Sequence, residues 1–130
     1  MAMIELTRDN VVKTIAEHDI LFIDFWAEWC APCRRFAPVF EKAANDNPDI
    51  AFAKCNTENE REVAAGFGIR SIPTLAIFRD QILVFKQPGA LPAPALESII
   101  EQVRNLDMDK VRAAIEQEES ADSGKDGAAE

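Results

Sequence analysis

Histidine is nearly absent from this chain: His18 is the only one in 130 residues. Cysteine is scarce too, at three, and no apolar run approaches the length of a membrane span. Each shortage excludes something. Tetrahedral zinc takes four ligands, and the thiol and imidazole supply is Cys30, Cys33, Cys55 and His18. His18 is expected at the exposed end of the first helix, far from the cysteine pair, so no metal site is expected. An odd cysteine count does not suit a disulfide-stapled secreted domain, and a reducing compartment tolerates the leftover Cys55 best. Basic residues are outnumbered 14 to 23, and the net charge of −9 argues against nucleic acid and anionic membranes as partners. The opening MAMIELTRDNVVKTIAEHD has no basic stretch followed by an apolar one, so no secretory leader is expected and the reading is cytoplasmic. No internal repeat is present.

The rest is an ordinary globular composition, 48% hydrophobic and 28% charged, long enough for one domain with a complete core. Charge is uneven: residues 107–130 hold eight acidic and three basic side chains. Ile4-Glu5-Leu6 predicts a short strand, with Thr7 as the N-cap of a helix that puts Val11, Val12, Ile15 and Ala16 on one face. Ile20 to Trp26, ILFIDFW, suits a central strand covered on both sides, in which Asp24 is out of place. Phe36, Val39, Phe40 and Ala43 mark an amphipathic helix. The next strand is expected over Ile50–Cys55. Thr57 and Glu60 have the spacing of a capping box before Val63, Ala64 and Phe67. Thr74–Phe78 and Ile82–Phe85 predict a hairpin, and Leu96, Ile99, Ile100 and Val103 a last core helix. The order βαβαβαββα implies an α/β fold, a central mixed sheet with helices on both faces. The domain is expected to span 1–106, with a helical extension over 107–117, where Met108, Val111 and Ile115 continue an apolar stripe. An acidic disordered tail is expected over 118–130.

The chemistry sits in DFWAEWCAPC, Asp24 to Cys33. A C-x-x-C pair can bind zinc, close a structural disulfide or cycle between dithiol and disulfide. Zinc lacks ligands, and so short a loop constrains the unfolded chain little. Cys30 is predicted just past the carboxyl end of the buried strand, in the crevice where open α/β sheets react. Cys33 falls in the first helical turn, and Pro32 suits that turn because its missing N–H costs nothing there. A helix N-terminus favours a thiolate. Cys30 is therefore expected to be exposed and acidified, with Cys33 within bridging distance.

Here the sequence resembles the thioredoxin family. WCAPC between an apolar strand holding Asp24 and a helix with Phe36 and Pro38 is the first motif. Ala53-Lys54, GIRSIPT over Gly68–Thr74, and Pro88-Gly89-Ala90-Leu91 come after it in order, and the likeness covers roughly Ile4 to Arg104. RRFAPVFE and NTENEREVAAGFGIRSIPT are most similar to the thioredoxin-2 type, without the zinc ribbon that usually precedes it. The resemblance implies a thioredoxin fold and a thiol-disulfide oxidoreductase that reduces protein disulfides and needs no cofactor beyond a redox-active Cys30–Cys33 disulfide. It implies Cys30 as nucleophile and Cys33 as resolving cysteine. Asp24 becomes the proton acceptor for Cys33, and Lys54 modulates that carboxylate. It also implies a cis Ile72-Pro73 bond beside a substrate groove rimmed by Trp29, Ala31, Pro32, Ile72, Pro73, Gly89 and Ala90. Its partners would be disulfide-containing proteins and a thioredoxin reductase or similar electron donor, and the chain would be a monomer.

Each role has a plainer reading: Asp24 as a core carboxylate paired with Lys54, Trp29 as core packing, Pro73 as a requirement of the fold, Cys55 as a small buried hydrophobe. Ala31 stands where the family usually has Gly, Arg34 where it has Lys, and Asp80-Gln81 where the hairpin usually has Asn-Gly. The rival from another class is a non-catalytic binding module or co-chaperone that docks a partner through the C-terminal extension. Intact Cys30, Cys33, Asp24, Lys54, Trp29 and Pro73 argue against it.

Overall fold

The computed structural model describes residues 3–129, with side chains described as far as Ala121. In chain order the elements are β1 (Ile4–Glu5), α1 (Val11–Glu17), β2 (Ile20–Trp26), α2 (Ala31–Asp46), β3 (Ala51–Asn56), α3 (Arg61–Gly66), β4 (Thr74–Arg79), β5 (Ile82–Pro88), α4 (Ala93–Arg104) and α5 (Met108–Ala129). The strands form one sheet in the order β1-β3-β2-β4-β5. β1 and β2 both run parallel to β3, while β4 runs antiparallel to its neighbours β2 and β5. The mixed sheet with helices on both faces is the α/β architecture expected.

The alternation of side chains along β2 creates two cores. Leu21, Ile23 and Phe25 face one way, into a cluster with Leu6, Val63, Ala53, Cys55 and Phe78, against which Val11 and Ile15 of α1 pack. Phe22 faces the other way, into Phe36 and Phe40 of α2 and Leu96, Ile100 and Val103 of α4. Full burial of such a side chain contributes roughly 1.5–3 kcal/mol. Asp24 shares the parity of Phe22, so it points to the α2 side. Its sheet neighbours are Lys54 on β3 and Leu75 on β4.

Several local expectations give way. Thr7 is not the cap of α1: Asn10 holds that position, its Oδ1 accepting the Thr7 backbone N–H. The helix therefore starts at Val11, and the buried face runs through Thr14 with Val11 and Ile15, leaving Val12 78% exposed and Ala16 exposed. The capping box at Thr57 and Glu60 does not form. Thr57 Oγ donates to the Trp26 carbonyl (3.1 Å), Glu60 Oε1 accepts the Arg8 backbone N–H (2.7 Å), and α3 begins at Arg61. Both residues have partners far along the chain that serve them better than each other.

The carboxyl end also differs. α4 is followed by α5, a helix continuing to Ala129, well past the boundary expected at 117. Ala, Glu, Gln and Lys are good helix formers, so polarity there does not by itself mean loss of helix. Met108 is buried, Val111 and Ile115 are half-buried, and Arg112 reaches Asp80 in the β4–β5 turn (2.9 Å). Arg79 donates to the carbonyls of Val103 (2.6 Å), Arg104 and Leu106, which accounts for acceptors left free at the end of α4.

Candidate active site

β2 ends at Trp26, and after Ala27-Glu28-Trp29 the chain enters α2 with Cys30 as its N-cap. The Cys33 backbone N–H donates to Cys30 Sγ (3.2 Å), and the Arg34 N–H donates to the Cys30 carbonyl (3.2 Å). The sulfur thus takes the capping place that a side-chain oxygen fills in other helices. Cys30 and Cys33 are joined in a disulfide, their Cα atoms 5.2 Å apart. Trp26, Ala27 and Ile72 pack around the pair.

In this oxidised form the expectation of an exposed Cys30 is not met, because both cysteines are 3% exposed. Ala27, Trp26 and Ile72 cover the pair, which accounts for that burial. The inequality between them lies in direction. Cys30 lines a groove of about 590 Å³ with Trp29, Ala31, Pro32 and Ile72, and Cys33 does not.

The far wall of that groove is Ile69-Arg70-Ser71-Ile72, between α3 and β4. The Ile72–Pro73 peptide bond is cis, and Cys30 Sγ lies 3.6 Å from the Ile72 carbonyl oxygen. Pro73 is buried and its carbonyl accepts the Gly89 N–H (2.8 Å). Gly89 has a φ of +110°, a backbone state an L side chain rarely adopts, which is a local reason for glycine there. Gly89 and Ala90 are exposed beside Pro73 but do not line the groove with Cys30.

Trp29 is 67% exposed, so it is a groove wall and not core. Its indole N–H donates to Glu58 Oε1 (2.7 Å), and the other oxygen of Glu58 pairs with Arg61 (3.3 Å). Sequence reasoning does not single out Glu58. The usable signal is topological: parallel β2 and β3 end side by side, so the residues after Asn56 must lie beside those after Trp26.

Asp24 is fully buried, and neither carboxylate oxygen has a hydrogen-bond partner among the described residues. Burial pushes its pKa up to about 7, with the Lys54 charge opposing the rise. Lys54 makes no ion pair with it. Its ammonium lies 4.5 Å from the centre of the Trp26 ring, a cation–π contact on the wall of a second cavity of about 340 Å³. The plainer reading of Asp24 as one half of a core ion pair therefore does not describe the geometry.

Cys55 is buried in the other core, and burial first, then the Glu60 charge, pushes its thiol up to about 12. A thiol raised that far forms little thiolate near neutral pH. His18 is half-buried at the end of α1, its Nδ1 2.9 Å from the Thr14 carbonyl. Among the described residues no group of three or more His, Cys, Asp or Glu is placed to hold a metal ion, and no helix is long and apolar enough to cross a membrane.

With this geometry in place, comparison with known proteins finds the family model described as Thioredoxin matching residues 2–120. "Putative thioredoxin 2" of Streptomyces coelicolor is 53% identical over 117 residues, 90% of this chain and 87% of that protein. "Thioredoxin C-3" of Corynebacterium nephridii is 40% identical over 100 residues, 76% of this chain and 69% of that protein. Among solved structures, oxidised mitochondrial thioredoxin 3 from Saccharomyces cerevisiae superposes with a TM-score of 0.72 at 32% identity, covering 77% of this chain and 94% of its own.

Proposed function

The chain belongs to the thioredoxin family and is a protein-disulfide reductase working by dithiol–disulfide exchange, and from that premise we propose how its residues divide the work. The carrying observation is that Cys30, capping α2 with its sulfur under a backbone N–H, is the member of the pair that faces the groove. In the reduced protein the Cys30 thiolate attacks one sulfur of a substrate disulfide, and the other substrate sulfur leaves as a thiolate. Helix N-terminal amides favour that thiolate form. Cys33 then gives up its proton, attacks Cys30 Sγ and displaces the second substrate sulfur. The protein is left with the Cys30–Cys33 disulfide, and the substrate is released as a dithiol, two electrons richer.

Asp24 takes the Cys33 proton. A carboxyl with a pKa of about 7 and no competing partner is matched to that transfer near neutral pH. Lys54, the sheet neighbour of Asp24, keeps that pKa from rising further. The cis Ile72-Pro73 segment offers its backbone to an extended substrate strand, with Trp29, Ala31, Pro32, Gly89 and Ala90 around it. A thioredoxin reductase or similar donor returns two electrons to the disulfide, with no further cofactor. We read the chain as a monomer and place it in the cytoplasm, where a reducing compartment suits its odd cysteine count. Insulin reduction by the wild type and by Cys30→Ser tests the core of this: the wild type turns over, the variant does not. Comparable turnover by the variant removes the mechanism.

A further inference from the structure

Acids outnumber bases in this chain 23 to 14, so a cation has little difficulty finding a carboxylate. Away from the disulfide many do: Arg8 with Glu62, Lys42 with Asp46, Arg104 with Asp49, Arg112 with Asp80. Other cations have none: Arg79 and Lys86 donate to backbone carbonyls instead, and three more lie close in sequence to the cysteines and the cis proline. Arg34, Arg35 and Arg70 have no carboxylate partner among the described residues. Arg34 is occupied by the Glu28 carbonyl (2.6 Å). Arg70 is exposed and lines the groove with Cys30.

The groove has one carboxylate, Glu58, and it is committed on both oxygens, to the Trp29 indole and to Arg61. Arg70 is thus a free positive charge on a wall otherwise made largely by Trp29, Pro32, Ile69 and Ile72. It stands two residues before Ile72, whose carbonyl lies 3.6 Å from Cys30 Sγ. Each residue of an extended strand advances about 3.3 Å, so a segment with its sulfur on Cys30 passes the Arg70 side chain within about two residues.

We propose that Arg70 is a specificity-determining residue, selecting disulfide-bearing segments that carry an aspartate or glutamate within about two residues of the attacked cysteine. This rests on the reductase reading of the groove. A substrate carboxylate there meets an unpartnered guanidinium that can bind it in a fork, while a lysine meets like charge. The chain's overall charge of −9 acts the other way at long range, but salt screens that repulsion beyond about 8 Å at physiological strength. The direct contact therefore decides selectivity in the bound complex.

The test is kcat/KM of the full chain, at fixed physiological salt, on peptide disulfides identical except for Asp or Lys placed one or two residues to either side of the attacked cysteine. The wild type should favour an Asp peptide by roughly two- to fivefold, the range of an exposed ion pair. Arg70→Glu should invert that ratio and Arg70→Gln should bring it to one. Circular dichroism confirms that each variant is folded, and Arg70→Gln carries the test if the charge reversal does not fold. An Asp/Lys ratio that is the same in wild type and folded Arg70→Gln overturns the proposal. If the wild type reduces no peptide at all and matches Cys30→Ser, the reductase reading itself fails.

Discussion

Asp24 and Lys54 are partners in the β2–β3 register, yet their charges do not meet: the Lys54 ammonium rests over the Trp26 ring, and both Asp24 oxygens stay unpartnered. Burial therefore raises the carboxyl to about 7, and the lysine only moderates that rise.

A raised folded pKa means the folded chain binds the Asp24 proton more tightly than the unfolded chain does. The stability this provides is complete below the ordinary value of 3.8 and declines as pH rises to about 7. At about 1.4 kcal/mol per unit the loss is on the order of 4 kcal/mol. Asp24→Asn should therefore be more stable than wild type by roughly 2–4 kcal/mol at pH 8, with the advantage fading toward pH 4. It should also slow insulin reduction. Urea unfolding across pH, with turnover on the same samples, checks both. A variant less stable at pH 8 and fully active would make Asp24 a structural residue.

The two sulfurs should differ once reduced, since Cys30 faces the groove and Cys33 does not. Cys30 should be alkylated faster near neutral pH, Cys33→Ser should accumulate mixed disulfides with substrate proteins, and Cys30→Ser should accumulate none. Mass spectrometry of alkylated and trapped species reads this directly. Equal alkylation, or trapping by Cys30→Ser alone, reverses the assignment.

Met108 is buried, and Arg112 ties α5 to the β4–β5 turn. Ending the chain after Leu106 should therefore cost about 2–4 kcal/mol, the scale of losing a buried methionine with its neighbours. Ending it after Gln117 keeps those contacts and should cost little. Urea midpoints of the two shortened chains decide it, and equal stability would place the domain boundary at 106.

The β4–β5 turn holds Asp80 at φ 53° and Gln81 at φ 67°, both left-handed and neither glycine. Gln81→Gly should stabilise the protein by about 1 kcal/mol, since a side chain in that state costs roughly 1–2 kcal/mol. Asp80 must be kept, because it anchors Arg112. A lower melting temperature for Gln81→Gly would show that the turn is not under this strain.

Much of this was legible in the residues themselves. ILFIDFW could be satisfied only by burial on both faces, and the spacing of Phe36, Phe40 and Ala43 fixed which side of α2 turns inward; both depend on local period and solvation, which one segment carries alone. The placement of Cys30 and Cys33 at a strand end and a helix start was local for the same reason. The features that stayed hidden depended on choices between partners far apart in the chain. Thr57 and Glu60 left their capping box for Trp26 and Arg8, and Glu58 became the partner of Trp29. Met108 is buried, which its place in an apolar stripe did not by itself decide. A polar side chain takes the best partner within reach, and only the folded arrangement of the sheet decides who is within reach. The same holds for Asp24: its oddness in an apolar strand was visible in the sequence, but the burial that raises its carboxyl and the turn of Lys54 over the Trp26 ring belonged to the tertiary structure.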